Sequence, residues 1–201
     1  MVINICVFGD SVPFGRIDPE NGGWVQRLKF YIEKQGLYNK VFNLGVPGDT
    51  SRDLINRIEN ETRVRKHDVI IIQIGFNDSV DIKGKMNVKL NEFEENIDKM
   101  IKISKKFTDK IIFLGLSNCD EEKTLKIKDF CFKENNLERC DAKINKICDK
   151  ENITFISMRD VLDIKEDLED GLHPNALGHE KIFKRILPFV EKMIKEIEND
   201  R

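Results

Sequence analysis

The sequence predicts an α/β protein in which a five-stranded parallel sheet carries helices on both faces. Two observations lead there. Five short runs, Val2 to Phe8, Val41 to Leu44, Val69 to Ile74, Ile111 to Leu116 and Ile153 to Ile156, are nearly continuous in apolar residues and rich in Ile and Val. Strands covered on both faces read this way, because neither side of the strand meets water. The segments between the runs repeat their apolar residues at helical spacing, and strand–helix alternation implies parallel pairing through right-handed crossovers.

Each element follows from its own pattern. After the first run, Trp24, Leu28, Tyr31 and Ile32 form one helical face. Leu54, Ile55 and Ile58 form a second face after the next run, with Thr50 or Ser51 as the N-cap. Leu90, Phe93, Ile97, Met100 and Ile101 make a third, and Leu137, Ile144 and Ile147 a fourth. The last helical segment carries Ile182, Phe183, Ile186, Val190, Ile194 and Ile197, and Pro188 is expected to kink it or to start a new helix. Ser117 to Glu134 is the longest irregular stretch, with a helical turn possible over Thr124 to Phe130, and reads as a flexible flap.

Composition narrows the function classes. The 201 residues are read as one domain, 1–201, large enough for a real core, and 40% hydrophobic with 35% charged residues fits a soluble globular protein. The 34 basic and 36 acidic residues are mixed along the chain, so no basic stripe exists to follow a phosphate backbone, and nucleic acid is not an expected partner. No apolar run approaches the length of a membrane span, so stable membrane insertion is not expected. The N-terminus shows no export signal, and the five cysteines (Cys6, Cys119, Cys131, Cys140, Cys148) show no CxxC pairing. Reduced thiols in a cytoplasm are expected, with no zinc site and no disulfide framework. Cys6, Cys140 and Cys148 read as core residues.

The chemistry gathers at the carboxyl ends of the strands, where open parallel sheets bind ligands. Ser11 follows the first run and is the candidate nucleophile. A serine hydroxyl needs a base to take its proton, and that base needs a partner to hold its tautomer. Of the three histidines, His173 stands three positions after Asp170, so a single turn could place the carboxylate on the imidazole nitrogen facing away from serine. His67 reads as a surface or helix-end residue and His179 as a packing or surface residue. Either segment alone has a plainer reading: Gly9-Asp10-Ser11 as a strand-to-loop turn, Asp170-x-x-His173-Pro174 as a turn capping the final helix.

An acyl-transfer site also needs donors for the carbonyl oxygen as it gains charge. Gly45, in Asn43 to Ser51, lets backbone approach a substrate and offers its N–H; Gly45 and Gly48 also suit a tight turn. In Gly75-Phe76-Asn77-Asp78 the Asn77 side-chain amide is a second donor, unless the segment is an Asx-type turn, and the Ser11 N–H is a third. Asp10 reads as structural, accepting turn amides behind the site. Phe14, Val46 and Phe76 adjoin these blocks and are read as an apolar wall for an acyl group.

Together the four blocks resemble the GDSL-type esterases, also called SGNH hydrolases. Gly9-Asp10-Ser11, Gly45 within Asn43 to Ser51, Gly75-x-Asn77-Asp78 and Asp170-x-x-His173-Pro174 occur in the family's order across almost the whole chain. One departure is Val12-Pro13-Phe14-Gly15 where the family more often continues Leu-Thr or Leu-Ser. The resemblance implies a flavodoxin-like three-layer α/β/α fold and hydrolysis of a small-molecule ester through an acyl-enzyme. It also implies a Ser11–His173–Asp170 triad, oxyanion donors from Ser11, Gly45 and Asn77, and no metal or organic cofactor. Short-chain acyl esters, acetylated sugars, lysophospholipids and acyl thioesters all fit as substrates. A binding module without turnover, and a signalling or nucleotide-binding domain using Asp10 for a metal, are the competing classes. Oligomeric state is not legible in the chain.

Overall fold

A strand apolar at every position is stable only at the middle of a sheet covered on both sides, and the two most apolar runs occupy that place. The computed structural model describes residues 2–36, 38–124 and 130–200. In chain order the elements begin with β1 (Asn4–Gly9), α1 (Ser11–Phe14), α2 (Gly23–Gln35), β2 (Lys40–Gly45), α3 (Ser51–Arg65) and β3 (Val69–Gln73). There follow α4 (Phe76–Ser79), β4 (Asp81–Ile82), β5 (Lys85–Met86), α5 (Leu90–Lys105) and β6 (Ile111–Leu114). The chain closes with α6 (Glu121–Thr124), β7 (Phe130–Cys131), α7 (Glu134–Lys150), β8 (Thr154–Ile156) and α8 (Ala176–Asn199).

The main sheet is all-parallel with the order β2-β1-β3-β6-β8. Ile5, Cys6, Val7 and Phe8 of β1 and Val69 to Ile72 of β3 are fully buried, while the edge strand β2 is only partly covered. Helices α2 and α8 pack together, as do α3, α5 and α7, giving the three-layer α/β/α arrangement. This is the flavodoxin-like fold. Its topological switch point lies between β1 and β3, because the chain turns to β2 on one side of β1 and to β3 on the other.

Register sets the site. Gly9 pairs with Gly45 of β2 and with Gln73 of β3, so the three strands end level with one another. Gly9 (φ +156°) lies so close to β3 that a Cβ there would sit 2.0 Å from the Gln73 carbonyl oxygen. The loops carrying Ser11, Gly48 and Asn77 therefore leave the sheet at one edge.

Three expectations are revised. Helix α8 runs unbroken through Pro188, and no new helix starts there. Pro188 is exposed, so the carbonyl it leaves unbonded is open to water while the buried stripe Ile182, Ile186, Val190, Ile194 and Ile197 continues. The described parts of 117–134 are not an irregular flap: Glu121–Thr124 is a helical turn, and β7 joins β4 and β5 in a small antiparallel sheet. Most of the expected turn over Thr124 to Phe130 lies outside the described residues. Of the two readings of His67, helix end holds, since it follows the Lys66 C-cap of α3, but surface does not, because the ring is buried edge-on to Phe107 at 5.8 Å.

Gly9→Ala is expected to cost roughly 3 kcal/mol or more, because the clash is with backbone of a central strand. A chemical-denaturation midpoint equal to wild type would show that β1 and β3 can separate without loss.

Candidate active site

Ser11 is placed by the turn that joins β1 to α1. The Asp10 carboxylate accepts the Val12 N–H at 3.0 Å, and α1 begins at Ser11 with its N–H in the first turn, where no intrahelical acceptor exists. Ser11 is 6% exposed, and its Oγ lies 2.8 Å from His173 Nε2. His173 Nδ1 in turn lies 2.7 Å from Asp170 Oδ2. Gly171 (φ +90°) makes the tight turn between acid and imidazole, and Asp170 Oδ1 accepts the N–H groups of Leu172 at 3.1 Å and His173 at 2.8 Å.

Electrostatics follows from those bonds. Partial burial pushes the Asp170 carboxyl up, but the hydrogen bonds from the His173 ring and backbone outweigh it and hold it well below the ordinary carboxylate range. An ionised carboxylate only accepts, so Nδ1 carries the proton and a neutral imidazole presents the Nε2 lone pair to the serine hydroxyl. The arrangement can move a proton from Ser11 to His173 with a fixed anion behind it.

On the other side of Ser11, Asn77 Nδ2 donates to the Asp49 carbonyl at 3.0 Å, and the Asn77 carbonyl accepts from Asn87 Nδ2 at 2.9 Å. The Asp49 bond holds the side-chain amide and the Asn87 bond holds the backbone that carries it, leaving one side-chain N–H without a partner among the described residues, beside the cavity that Asn77 lines. Asn77 sits in the helical turn α4, not in an Asx-type turn. Gly45 does not meet its expectation. Its N–H donates to Asn43 Oδ1 at 3.0 Å, and it does not line the cavity. Glycine is required there because a Cβ would meet the Phe14 nitrogen at 2.5 Å and the Asp10 carbonyl at 2.8 Å. Gly48 lines the cavity instead. Val46 to Asp49 form a turn closed by Asp49 N–H to Val46 carbonyl at 3.1 Å, with Pro47 then Gly48 (φ +90°) at its centre. A Pro-Gly pair with positive φ at the glycine is a type II turn, whose closing bond leaves the glycine N–H unused.

Buried carboxylates stand behind these donors. Asp78 accepts the Ser51 N–H at 3.0 Å and the Ser51 hydroxyl, and Asn96 Nδ2 caps that hydroxyl at 2.9 Å. Burial pushes Asp78 up to about 6 against those bonds. Asp10, fully buried, is pushed up to about 7 by burial and by the nearby Asp78 and Asp49 charges, against the Val12 N–H. Arg57 tempers the cluster, donating to Asp49 at 2.8 Å and to the Gly9 carbonyl at 3.1 Å. At the start of α3, Asp53 accepts the Thr50 N–H at 2.9 Å, so Thr50 is the N-cap residue.

The cavity over Ser11 measures about 390 Å³ and is lined by Arg16, Pro47, Thr124, Phe130, Phe132 and Leu172 in addition to the residues above. None of the three residues expected to wall it does so. Phe76 is 1% exposed and packed inward as the first residue of α4, while Phe14 and Val46 are exposed and are not among the residues lining this cavity. The apolar wall comes from Phe130 and Phe132, edge to face at 5.8 Å, which β7 brings in by pairing with β4. A two-residue strand has no period to read, so no sequence signal marked them; the Pro47-Gly48 turn could have marked Gly48. His179 is a buried packing residue, its Nε2 donating to the Arg16 carbonyl at 3.2 Å. Cys6, Cys140 and Cys148 are buried thiols, and burial pushes Cys6 and Cys148 up to about 12.

A family model described as the GDSL-like lipase/acylhydrolase family matches residues 7–181, and the chain belongs to that family. By class it is a carboxylic ester hydrolase. Uncharacterized protein YpmR of Bacillus subtilis (strain 168) is 24% identical over 94% of this chain and 82% of its own length. A multidomain esterase of Ruminococcus flavefaciens is 24% identical over 96% of this chain, which spans only 29% of that protein. Among solved structures, a lipase/acylhydrolase from Enterococcus faecalis superposes with a TM-score of 0.78 at 23% identity, covering 94% of this chain and 96% of that one. Axe2, an acetylxylan esterase from Geobacillus stearothermophilus solved as a catalytic serine mutant, gives a TM-score of 0.75 at 20% identity, covering 92% and 93%. At these identities the structural likeness speaks to the fold. Among the described residues, no helix is long and apolar enough to cross a membrane.

The raised Asp10 makes a pH test of the buried cluster. A carboxyl that holds its proton more tightly when folded contributes stability below its unfolded value of 3.8, lost as pH rises through about 7. Asp10→Asn keeps an acceptor for Val12 and removes the charge. Its melting temperature relative to wild type is expected to rise between about pH 4.5 and about pH 8. A difference constant across that window would mean Asp10 ionises without cost.

Proposed function

We propose that the protein hydrolyses small or short-chain acyl esters by two-step acyl transfer, with Ser11 as nucleophile, His173 as general base and acid, and Asp170 as its orienting anion. The continuous hydrogen-bond chain from Ser11 through His173 to Asp170 carries this reading. As Ser11 Oγ attacks the ester carbonyl, its proton passes to His173 Nε2. Asp170 stabilises the imidazolium without accepting the proton, which its low affinity for protons favours. His173 then protonates the leaving alkoxide and next activates the water that frees the acid.

The oxyanion donors in this reading are the Ser11 N–H, the Gly48 N–H and the free N–H of Asn77, with Gly48 in the place first given to Gly45. Supporting them, the Asp49 carbonyl holds the Asn77 side-chain amide, and Asn87 holds the Asn77 backbone carbonyl, before substrate arrives. Such preorganisation is what makes a donor effective toward charge that develops only in the transition state. The apolar wall of Phe130, Phe132 and Leu172 is suited to a short acyl group.

Labelling by a fluorophosphonate tests the nucleophile: wild type is expected to label and Ser11→Ala is not, and labelling of the variant would displace Ser11 from the role. His173→Ala is expected to lower kcat by about a thousandfold or more on p-nitrophenyl esters while folding normally. Turnover near wild type would mean another base is in use. Asn77→Ala is expected to lower kcat by roughly a hundred- to a thousandfold with little change in KM. An effect confined to KM would make Asn77 a substrate-binding residue.

A further inference from the structure

One residue in the cavity has no part in the chemistry above. Among the described residues that line it, Arg16 is the one permanent cation. This residue is exposed and takes part in no ion pair or side-chain hydrogen bond among the described residues, a state it shares with Arg139 on the surface of α7, whereas Arg27, Arg52, Arg57, Arg63, Arg65, Arg159 and Arg185 are each paired to a carboxylate. An unpaired arginine on ordinary surface is unremarkable. This one stands in the same cavity as Ser11 and His173.

The backbone around Arg16 is held rather than loose. Its N–H donates to the Ser11 carbonyl at 3.1 Å, and its carbonyl accepts from the buried His179 ring at 3.2 Å. His179 is itself fixed, its Nδ1 accepting the Trp24 N–H at 3.3 Å. On either side the chain is left-handed, at Gly15 (φ +93°) and at Ile17 (φ +68°). For a β-branched residue that conformation is rare and costs about 1 kcal/mol or more. The strain at Ile17 is borne by a loop whose outcome is an arginine rooted one short turn from the serine. The other charge in the cavity, Asp170, is engaged by the His173 ring and two backbone N–H groups, so it does not neutralise Arg16.

We propose that Arg16 is a specificity-determining residue that takes an anionic group, a carboxylate or a phosphate, on the ester substrate. Guanidinium is the side chain best matched to both, through paired N–H donors. The substrate class is then an ester with an apolar acyl portion against Phe130 and Phe132 and a negative charge within reach of the scissile bond. This rests on the esterase reading above.

The test compares kcat/KM for matched charged and neutral esters. On the alcohol side, p-acetoxybenzoate and p-acetoxyphenyl phosphate are set against neutral p-acetoxybenzamide; on the acyl side, mono-p-nitrophenyl succinate is set against p-nitrophenyl butyrate. Intrinsic reactivity cancels when each charged-to-neutral ratio is compared between wild type and Arg16→Gln. In at least one pair the ratio is expected to fall about tenfold in Arg16→Gln, and added salt is expected to erode the wild-type ratio. Which pair responds identifies carboxylate or phosphate, and alcohol side or acyl side. Ratios that are unchanged in every pair would overturn the proposal, as would a fluorophosphonate-reactive wild type that hydrolyses only the neutral esters. A wild type that neither labels nor hydrolyses any of them would overturn the esterase reading itself, and this inference with it.

Discussion

Where Gly9 faces Gln73 there is no room for a side-chain atom, and where Gly45 faces Asp10 and Phe14 there is none either. These two close approaches lock β1 between β2 and β3 at their carboxyl ends and hold α1 against β2. Everything that the site uses hangs from that edge. The Ser11 turn leaves β1 one residue past Gly9, the Pro47-Gly48 turn leaves β2 just past Gly45, and α4 with Asn77 follows β3 within a few residues. A shift of one residue in register would reverse the facing of every side chain on the slipped strand, so the fully buried β1 and β3 cores enforce the arrangement.

His173 arrives from much farther along the chain, and a different device places it. The turn at Gly171 wraps the Asp170 carboxylate in two backbone N–H groups and points the remaining oxygen at His173. Acid and imidazole thus form one local unit, held by short-range bonds. Tertiary structure has only to deliver that unit to Ser11. The α6 turn helps to do so, since the Asp120 N–H donates to the Gly171 carbonyl at 2.8 Å.

The buried acids Asp10 and Asp78 show what holding the loops costs. Each accepts backbone N–H groups that would otherwise be stranded at the start of a helix, and each has its proton affinity raised by its dry surroundings. The turn amides of Val12 and Ser51 are thereby satisfied by side chains close to Ser11 and Asn77 in sequence. Asp170, in the lining of the cavity, has the opposite environment, richer in donors, and the opposite shift. One fold therefore shifts carboxyl proton affinity in both directions, up at Asp10 and Asp78 and down at Asp170.

The sheet, its helices and the spacing Asp170-x-x-His173 were legible in the chain because burial on both faces and helical packing leave periods that composition repeats. Ser11, Asn77, Asp170 and His173 all line one cavity, since each follows a strand end or a tight turn whose geometry is local. Gly45 was misread because a glycine admits two uses, close packing or an exposed N–H, and only the position of Phe14 and Asn43 decides between them. The cavity wall was decided by tertiary structure alone. Proximity in sequence placed Phe14, Val46 and Phe76 beside the chemistry, yet none of them lines the cavity, and Phe76 is buried instead. Phe130, Phe132 and Arg16 reach the cavity through a two-residue strand pairing and a left-handed turn, neither of which has a period to betray it.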